Sequence, residues 1–517
     1  PSDASTDGGV DAGPVVVSYA CPSSSDEVVF VSENAPPATL TPWQHFDASV
    51  TFANCGSETW SPKPASGTRA SPVRLGPSTP HDSRMWTRSR LELPADVPPG
   101  NAVTIAIPVH APPLTGSHPY AYELVREGVA WLGHASPMHA IDVEAAMLSP
   151  IAICPSAGSD PSGRADTTAQ IQACIDATPS GGTLALPAGI YRVSGVLTID
   201  KPMTLTTAGA TGPSCLDWAS APCAVLRADA STVPSASGTR GFLRLGTLAT
   251  ATSNVTLDHV VVDGNRVERL AGTAATNCAA GQNGDGINVG SNCASCALKA
   301  FVSTRAVCGS GFEHDGDGLV IDDSDFFGNG DHGTQNMWSD GLTIHKSDAS
   351  HVTSSRFVDN SDVGFISGGG VNAVYTGNTA QQLVQSSFAA MMLDNFDNAA
   401  LGDFTGATLD GNTVYCGAAC HFGIELGPHP WYASPNIKGA SVTNNSVIGA
   451  NIEINAQGAG VAGSPVVISG NTLGATPASA AFQCGNVSGL SPLNVSAESV
   501  VDLKGGAATG SISVPCP

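Results

Sequence analysis

Acidic residues recur at a fixed spacing in the second half of the chain. Asp331 and Asp362 close two copies of one pattern whose matched positions all differ by 31, and Asp340 lies between them. Two carboxylates side by side raise the pKa of one and leave a proton donor beside a base. Such pairs cleave glycosidic bonds: separations of about 5–5.5 Å favour retention, and about 6.5–9.5 Å inversion. Asp340, Asp362 and Asp331 are therefore candidate catalytic residues, with turn capping as the alternative role, above all for Asp331.

Glu425 is the fourth catalytic candidate. It alternates with apolar neighbours in a strand pattern, so its side chain should leave the core and face a groove. Glu453 follows 28 residues later and is the expected neighbour of Glu425 on the next coil. A solvated surface position is the alternative for both side chains.

Histidine and aromatic residues accompany these carboxylates in residues 331–338 and 416–432. The first segment interrupts the repeat, so it should bulge as a loop and form a cleft wall. Aromatic faces suit the apolar face of a pyranose ring, although a tryptophan can also simply cover a coil. The candidate substrate-binding residues are Trp338, His332, Trp431, His429 and Glu313.

The run Glu313–Gly318 offers carboxylates that could grip calcium. It lacks the full EF-hand loop, so calcium stays an alternative here. We expect that no cofactor is required, and we predict no other metal site.

Short repeated strands are the elements that must position these residues. The pattern Ile321–Asp331 returns as Val352–Asp362, with looser copies later, and a second series of glycine followed by alternating apolar residues recurs. Fixed periods of roughly 20–35 residues with strand chemistry predict the coils of a parallel β-helix. Equivalent positions on neighbouring coils would lie about 4.8 Å apart, and stacked asparagines could bond each other from coil to coil.

The start of this repetitive region predicts a cap. Asp166 or Thr167 can begin a short helix, which the segment Gly181–Val193 follows as a strand, a turn and another strand. The apolar face of that helix carries Ile171, Cys174 and Ile175. This order resembles the opening segment of pectin-lyase-like right-handed β-helices, in which a helix covers the first coil.

Two motifs resemble those of polygalacturonase-type glycoside hydrolases, which read Asn-Thr-Asp-Gly and, one coil later, Asp-Asp. Asp340 falls on the aspartate of the first motif, and Asp362 on the second aspartate of the pair, where Ser361 replaces the first. The His-Gly and Arg-x-Lys motifs of that family have no clear match. The resemblance therefore implies a distant relative.

The first part of the chain predicts a different module. Short alternating strands separated by Pro/Gly turns in residues 15–145 are typical of a β-sandwich. The series Pro42…Phe46, Asn54…Trp60, Val97–Gly100 and Tyr122…Gly133 resembles the Ig-like domain first described in an autophagy receptor. Modules of this type bind a partner or act as spacers, and they do not catalyse. The predicted organisation is a flexible linker (1–14), an Ig-like β-sandwich (15–145) and a right-handed parallel β-helix with a helical cap (146–517), an all-β protein.

Composition limits the partners and the compartment. A net charge of −23 repels nucleic acid and anionic lipid, and disfavours anionic polymers unless a local basic patch overrides it. No apolar run reaches the roughly 18 residues of a membrane span.

The 14 cysteines favour disulfides, and the polar start suggests the stub of a removed signal or lipoprotein peptide. We expect a secreted or cell-surface protein of the bacterial exterior or periplasm, its oligomeric state open, a trimer included. The expected pairs are Cys21–Cys55, Cys154–Cys174, Cys215–Cys223 and Cys416–Cys420.

These observations favour a polysaccharide-degrading glycoside hydrolase that uses paired carboxylates. A polysaccharide lyase needs a basic group, and few candidates exist. They are Lys299, Arg305, Lys346 and Arg356. A fructan-type transferase on the same fold and a non-catalytic glycan-binding surface protein are the remaining alternatives.

Overall fold

The computed structural model divides into two compact units, Pro1–Glu144 and Ala145–Pro517. It describes residues 16–22, 27–40, 45–62, 72–79, 81, 83, 86, 90–112, 116–127, 129–144, 151–154, 157–211, 215, 223–232, 240–247, 249–270, 278, 283–331, 337–396, 402–417, 419–431, 435–475, 480–484, 494–496, 498–502 and 510–512. The expected linker 1–14 lies outside these residues.

The first unit is a small β-sandwich of mainly antiparallel strands, as predicted. Across its three sheets the strands are Val16–Ser18, Asn101–His110, His45–Asn54 and Val28–Asn34; Ala130–Trp131, Tyr122–Arg126, Val73–Pro77 and Leu91–Glu92; and Thr39–Leu40, His139–Val143 and Gly116–Tyr120. Alternate residues of the longest strands, such as Val103, Ile105 and Ile107, point into one buried core with Phe52 and Trp60.

The second unit is a right-handed parallel β-helix with three long sheets. Sheet 1 contains Ser162–Asp166, Gly189–Val193, Ala224–Ala228, Val260–Asp263, Val302–Thr304, Asp325–Phe327, Arg356–Val358, Thr379–Gln382, Thr413–Cys416, Ser446–Ile448, Thr472–Ala475, Glu498–Asp502 and Gly510–Ile512. Sheet 2 contains Thr183–Leu186, Met203–Thr207, Val255–Asp258, Ala297–Lys299, Val320–Asp322, His351–Thr353, Val374–Thr376, Thr408–Asp410, Ser441–Thr443, Val467–Ser469 and Asn494–Val495. Sheet 3 contains Leu197–Ile199, Leu243–Leu245, Val289–Ala294, Gly309–Asp315, Ser339–Lys346, Val363–Ser367, Ser386–Leu393, Ala419–Leu426, Ile452–Asn455 and Ala480–Gln483, with Thr252–Ser253 beside it.

Helices are short. They are Thr168–Ala177, Arg266–Arg269 and the 3-10 turn Asn283–Asp285, and the hairpin Ile151–Cys154 with Ala157–Ser159 precedes the first. The first helix buries Ile171, Cys174 and Ile175 against the opening coil, as expected. Asp166 supports its first turn by accepting the Thr168 N–H at 3.1 Å. No helix of the described residues is long and apolar enough to cross a bilayer.

Stacked side chains tie the coils together. Asn378 donates to Asn412 at 3.0 Å, and Asn412 donates to Asn445 at 2.9 Å. Asn445 donates to Asn471 at 2.9 Å, whose backbone N–H is accepted by buried Glu498 at 2.5 Å. Each amide satisfies polar groups that the corner would otherwise bury unpaired, so the ladder fixes the coil register. The expected coil-to-coil asparagine bonds are present.

Disulfides close several local loops. The described pairs are Cys21–Cys55, Cys215–Cys223, Cys278–Cys308, Cys293–Cys296 and Cys416–Cys420. Three of the four expected pairs are therefore confirmed. Cys174 is also disulfide-bonded, but the side chain of Cys154 lies outside the described residues. Several disulfides fit an extracellular protein.

Candidate active site

The outer face of sheet 3 carries the principal carboxylates. Asp340 follows the first residue of strand Ser339–Lys346, and its side chain is partly exposed. Its Oδ1 accepts the Val363 N–H at 3.0 Å, and its Oδ2 accepts the Thr343 hydroxyl at 2.6 Å. The Thr343 hydroxyl in turn lies 2.5 Å from the Ser310 hydroxyl on the preceding strand. A hydrogen-bonded chain therefore positions the Asp340 carboxyl.

Asp362 is the acidic neighbour of Asp340. It is partly exposed, directly precedes strand Val363–Ser367, and donates its N–H to the Ser339 carbonyl at 3.1 Å. Burial raises the pKa of Asp362 to about 7. Burial first, and the charge of Asp362 second, hold the pKa of Asp340 well above its usual range. The hydrogen bonds from Thr343 and Val363 act in the opposite direction without prevailing.

Glu313 forms a charged extension of this site one strand earlier, in register with Thr343. It is nearly buried, and its carboxylate accepts the His345 ring N–H at 2.5 Å and a hydrogen bond from the Arg240 guanidinium. Arg240 and His345 also lie 2.9 Å apart. Because the charge of Glu313 adds to the rise of the Asp340 pKa, the two groups belong to one site. Glu313, a candidate substrate-binding residue, therefore lies one strand before Thr343, which binds Asp340.

The segment between the two repeats sets the position of Asp340. Asp331 pairs with Met337 through both backbone hydrogen bonds, 2.8 and 2.9 Å, so the chain leaves the coil at Asp331 and returns at Met337. Consequently Ser339, not Asp331, lies next to Asp362, and Asp340 is the carboxyl whose pKa is raised by burial and by the charge of Asp362. The expectation that Asp331 and Asp362 lie side by side is wrong. The 31-residue match does not take into account that the chain leaves the coil between Asp331 and Met337.

Trp338 ends the inserted loop and keeps 45% of its surface exposed. It stands immediately before Ser339 and Asp340, so its exposed ring lies at the start of the strand that carries Asp340. This position suits stacking against a sugar ring. His332, the other candidate in this segment, lies outside the described residues.

Glu425 and Glu453 are both fully buried, which contradicts the expected exposed groove face. Glu425 stacks on Asn455 rather than on Glu453, and Asn455 donates to its two oxygens at 2.8 and 3.0 Å. Burial raises the pKa of Glu425 well above its usual value. Glu453 accepts the backbone N–H groups of Gly449 and Ala450 at a corner, and burial raises its pKa to about 8.

Trp431 and His429 lie beyond the carboxylates, along the later coils. Trp431 stacks on Phe388, with ring centroids 4.1 Å apart, and covers an outward apolar cluster. That cluster comprises Val363, Ile366, Ala389, Met392 and Phe422. Trp431 is partly exposed and covers this cluster in the structure. His429 is partly exposed, and the structure shows no contact between it and the carboxylate pair.

Within the described residues, no group of three or more His, Cys, Asp or Glu side chains is arranged to hold a metal ion. The run Glu313–Gly318 does not expose all of its side chains together. His314, its second residue, is fully buried, and burial lowers the pKa of His314 to about 4. Arg240, His345 and Thr343 were missed by sequence reasoning. Thr343 occupies the variable position of a glycine-apolar repeat, whereas Arg240 and His345 belong to no motif, and only the folded coils bring Arg240 to His345 across 105 positions.

Comparison with known proteins gives one family. Residues 155–383 match the family model described as "Rhamnogalacturonase A/epimerase, pectate lyase-like". No sequence among the curated proteins matches the chain.

The solved structures that resemble this chain have low sequence identities and low TM-scores. ORF18 of Geobacillus virus E2 is 16% identical, with TM-score 0.34, over 67% of this chain and 60% of that one. The family 28 exopolygalacturonase of Yersinia enterocolitica is 12% identical, with TM-score 0.36, over 90% of this chain and 100% of that one. The hyperthermoactive exopolygalacturonase of Thermotoga maritima is 10% identical, with TM-score 0.42, over 66% and 88%. These likenesses carry no argument about function. The matched residues 155–383 hold both Asp340 and Asp362, so the candidate site lies within the segment that matches the family model.

Proposed function

We propose that this protein is a polysaccharide-degrading glycoside hydrolase whose catalytic pair is Asp340 and Asp362. The observation that carries the proposal is the proximity of the two carboxyls: Asp340 accepts the N–H of Val363, the residue after Asp362, each carboxyl has a raised pKa, and each side chain is partly exposed. A carboxyl that stays protonated near neutral pH beside one that ionises is the pairing that glycosidic cleavage needs.

The environments of the two groups suggest their roles. Asp340 holds its proton more firmly because burial first, and the negative charge of ionised Asp362 second, raise its pKa. We assign Asp340 as the proton donor to the leaving glycosidic oxygen and Asp362, with its pKa near 7, as the base. Thr343 and Ser310 orient the donor, and Trp338 supplies an aromatic surface for a sugar ring.

Two of the basic candidates lie away from sheet 3 and do not support the lyase alternative, and Lys346, on the strand of Asp340, lies 3.5 Å from Asp348. Arg305 binds Asp263 and Arg356 binds Asp325, each pair on or beside sheet 1. A lyase base must reach the reacting proton directly or through one water. Guanidinium groups engaged away from sheet 3 do not meet that requirement beside Asp340.

A panel of neutral and acidic polysaccharides tests the proposal. A hydrolase releases reducing ends without the ultraviolet absorbance of a new double bond, whereas a lyase produces both. Asp340→Asn and Asp362→Asn should each lower the rate by orders of magnitude while keeping the fold. The matched control is Asp322→Asn, an exposed aspartate on sheet 2 of the same coil. Near-normal rates in both active-site variants would refute the assignment.

A further inference from the structure

The outer face of sheet 3 changes character at the carboxylate pair. Beyond the strand of Asp340, the outward row of Asp340 continues in apolar side chains over three strands, and that of Thr343 over two. Each of these apolar side chains has at most 2% of its surface exposed. They are Val363, Ile366, Ala389, Met392 and Phe422. A bound sugar cannot reach side chains that are buried this deeply, so the open surface ends at the carboxylate pair.

Three aromatic side chains pack over this apolar cluster, and we call them the aromatic cover: Phe388, Phe396 and Trp431. Phe388 is the direct neighbour of Asp362 on the next strand, since its N–H donates to the Asp362 carbonyl at 2.8 Å, and Trp431 stacks on Phe388. Phe396 lies beside His345, on the strand of Asp340, with ring centroids 5.1 Å apart. The aromatic cover therefore begins about 4.8 Å, the spacing of neighbouring strands, beyond Asp362.

The other side of the carboxylate pair keeps polar and aromatic surface open. Trp338 is 45% exposed, and the side chains of Arg240 and His345 are 37% and 28% exposed. Glu313 accepts hydrogen bonds from both Arg240 and His345 and so holds them in place. Guanidinium and imidazole groups hydrogen-bond to hydroxyls, and an indole suits the apolar face of a sugar ring. A saccharide can therefore reach the carboxylates from this side and not from the later coils.

We propose that the site accepts only the end of a polysaccharide chain. The terminal sugar rests against the aromatic cover, and the rest of the chain leaves over the preceding coils, past Trp338. An internal stretch of polymer must continue in both directions from the bond that is cut, and the aromatic cover leaves room for that in one direction only. This inference rests on the proposed function for the cleavage itself. It predicts that small sugars are released from chain ends instead of large fragments from random internal cuts.

Binding stoichiometry tests the closed end without any catalytic step. The full chain carrying Asp340→Asn is titrated calorimetrically with linear oligosaccharides derived from cellulose, starch, xylan and polygalacturonate, each in a short and a long form. In a series that binds, a single protein molecule should bind each oligosaccharide at both lengths, because every chain offers a single end of the right kind. A number of bound protein molecules that rises with chain length would show that internal segments bind, and would overturn the closed end. Absence of binding in every series would overturn it as well.

Variants of the aromatic cover complete the test. Trp431→Ala, added to Asp340→Asn, should open the closed end, so that more than a single protein molecule binds each long oligosaccharide. Phe396→Ala carries the comparison if Trp431→Ala does not fold. The matched control is Val320→Ala, which shortens an exposed apolar side chain on sheet 2 and should leave the stoichiometry unchanged. Unchanged stoichiometry in both cover variants would overturn the role of the cover. If the protein without substitutions binds chain ends as expected but releases no sugar, only the proposed function falls.

Discussion

Replacing Asp362 by Asn should make the protein less active and, above neutral pH, more stable. In the folded state burial raises the pKa of Asp362 from 3.8 to about 7. Between these values the folded chain binds more protons on this group than the unfolded chain, so stability falls as pH rises. At 1.36 kcal/mol per pKa unit over about three units, the loss reaches at most about 4 kcal/mol.

The sign of this contribution fixes the pH window. Below the unfolded pKa, Asp362 is protonated in both states and resembles asparagine, so the variant and the parent should have equal stability near pH 3.5. The gap should open between about pH 4 and 7 and then stay constant, with the variant the more stable by up to about 4 kcal/mol at pH 8. Urea unfolding at a series of pH values, followed by far-ultraviolet circular dichroism, measures the difference.

A control of opposite sign comes from Asp403, a partly exposed turn residue. Burial acts to raise its pKa, but hydrogen bonds from Thr405 and Lys438 prevail and lower it. Its stabilising contribution is present above the unfolded pKa and is lost as pH falls. Asp403→Asn should therefore be less stable than the parent at pH 8. A gap for Asp362→Asn that does not change with pH, or a variant less stable at pH 8, would refute the environment assigned to Asp362.

Three further changes test the surroundings of the pair. Thr343→Val removes a hydrogen bond that favours ionised Asp340, so its pKa should rise and the alkaline limb of the kcat/KM profile should move to higher pH; an unmoved limb contradicts the donor role. Trp338→Ala should raise KM roughly tenfold at unchanged Tm, since the ring is 45% exposed; an unchanged KM would exclude stacking. Asn412→Ala leaves several ladder groups unpaired and should cost roughly 3 kcal/mol or more in urea unfolding, whereas the exposed control Thr413→Ala should cost under about 0.5 kcal/mol; equal costs would refute the ladder argument.

The repeat in the sequence predicted the fold because β-helix coils show their period directly. Asn329 and Asn360, matched at a spacing of 31, donate and accept one hydrogen bond of 2.8 Å in the structure. The helical cap followed from the apolar spacing of Ile171, Cys174 and Ile175. These features depend on local chemistry that one coil repeats in the next, so pattern alone could find them.

The stacking of Glu425 was predicted wrongly for an identifiable reason. The sequence matched it to Glu453, whereas the structure pairs it with Asn455, a shift of two residues. Alternation along a strand has a period of two, so a two-residue slip leaves the apparent hydrophobic pattern intact. Only the packing of whole coils, with Glu453 drawn into a corner by backbone N–H groups, distinguishes the two registers.

The inserted loop shows how this fold can build a site that its own repeat does not encode. In a regular solenoid, the residue after Gly330 would be the neighbour of Asp362 on the preceding coil. Here the chain departs at Asp331 and returns at Met337, so Asp340 arrives where its Oδ1 meets the Val363 N–H. The rigid coils hold Asp362 and Val363 in place, and the insertion delivers the second carboxylate to them. Because an excursion leaves the flanking strands paired, the carboxylate pair can arise without disturbing the core. This explains why the 31-residue repeat placed Asp331 beside Asp362, whereas the motif resemblance paired Asp362 with Asp340.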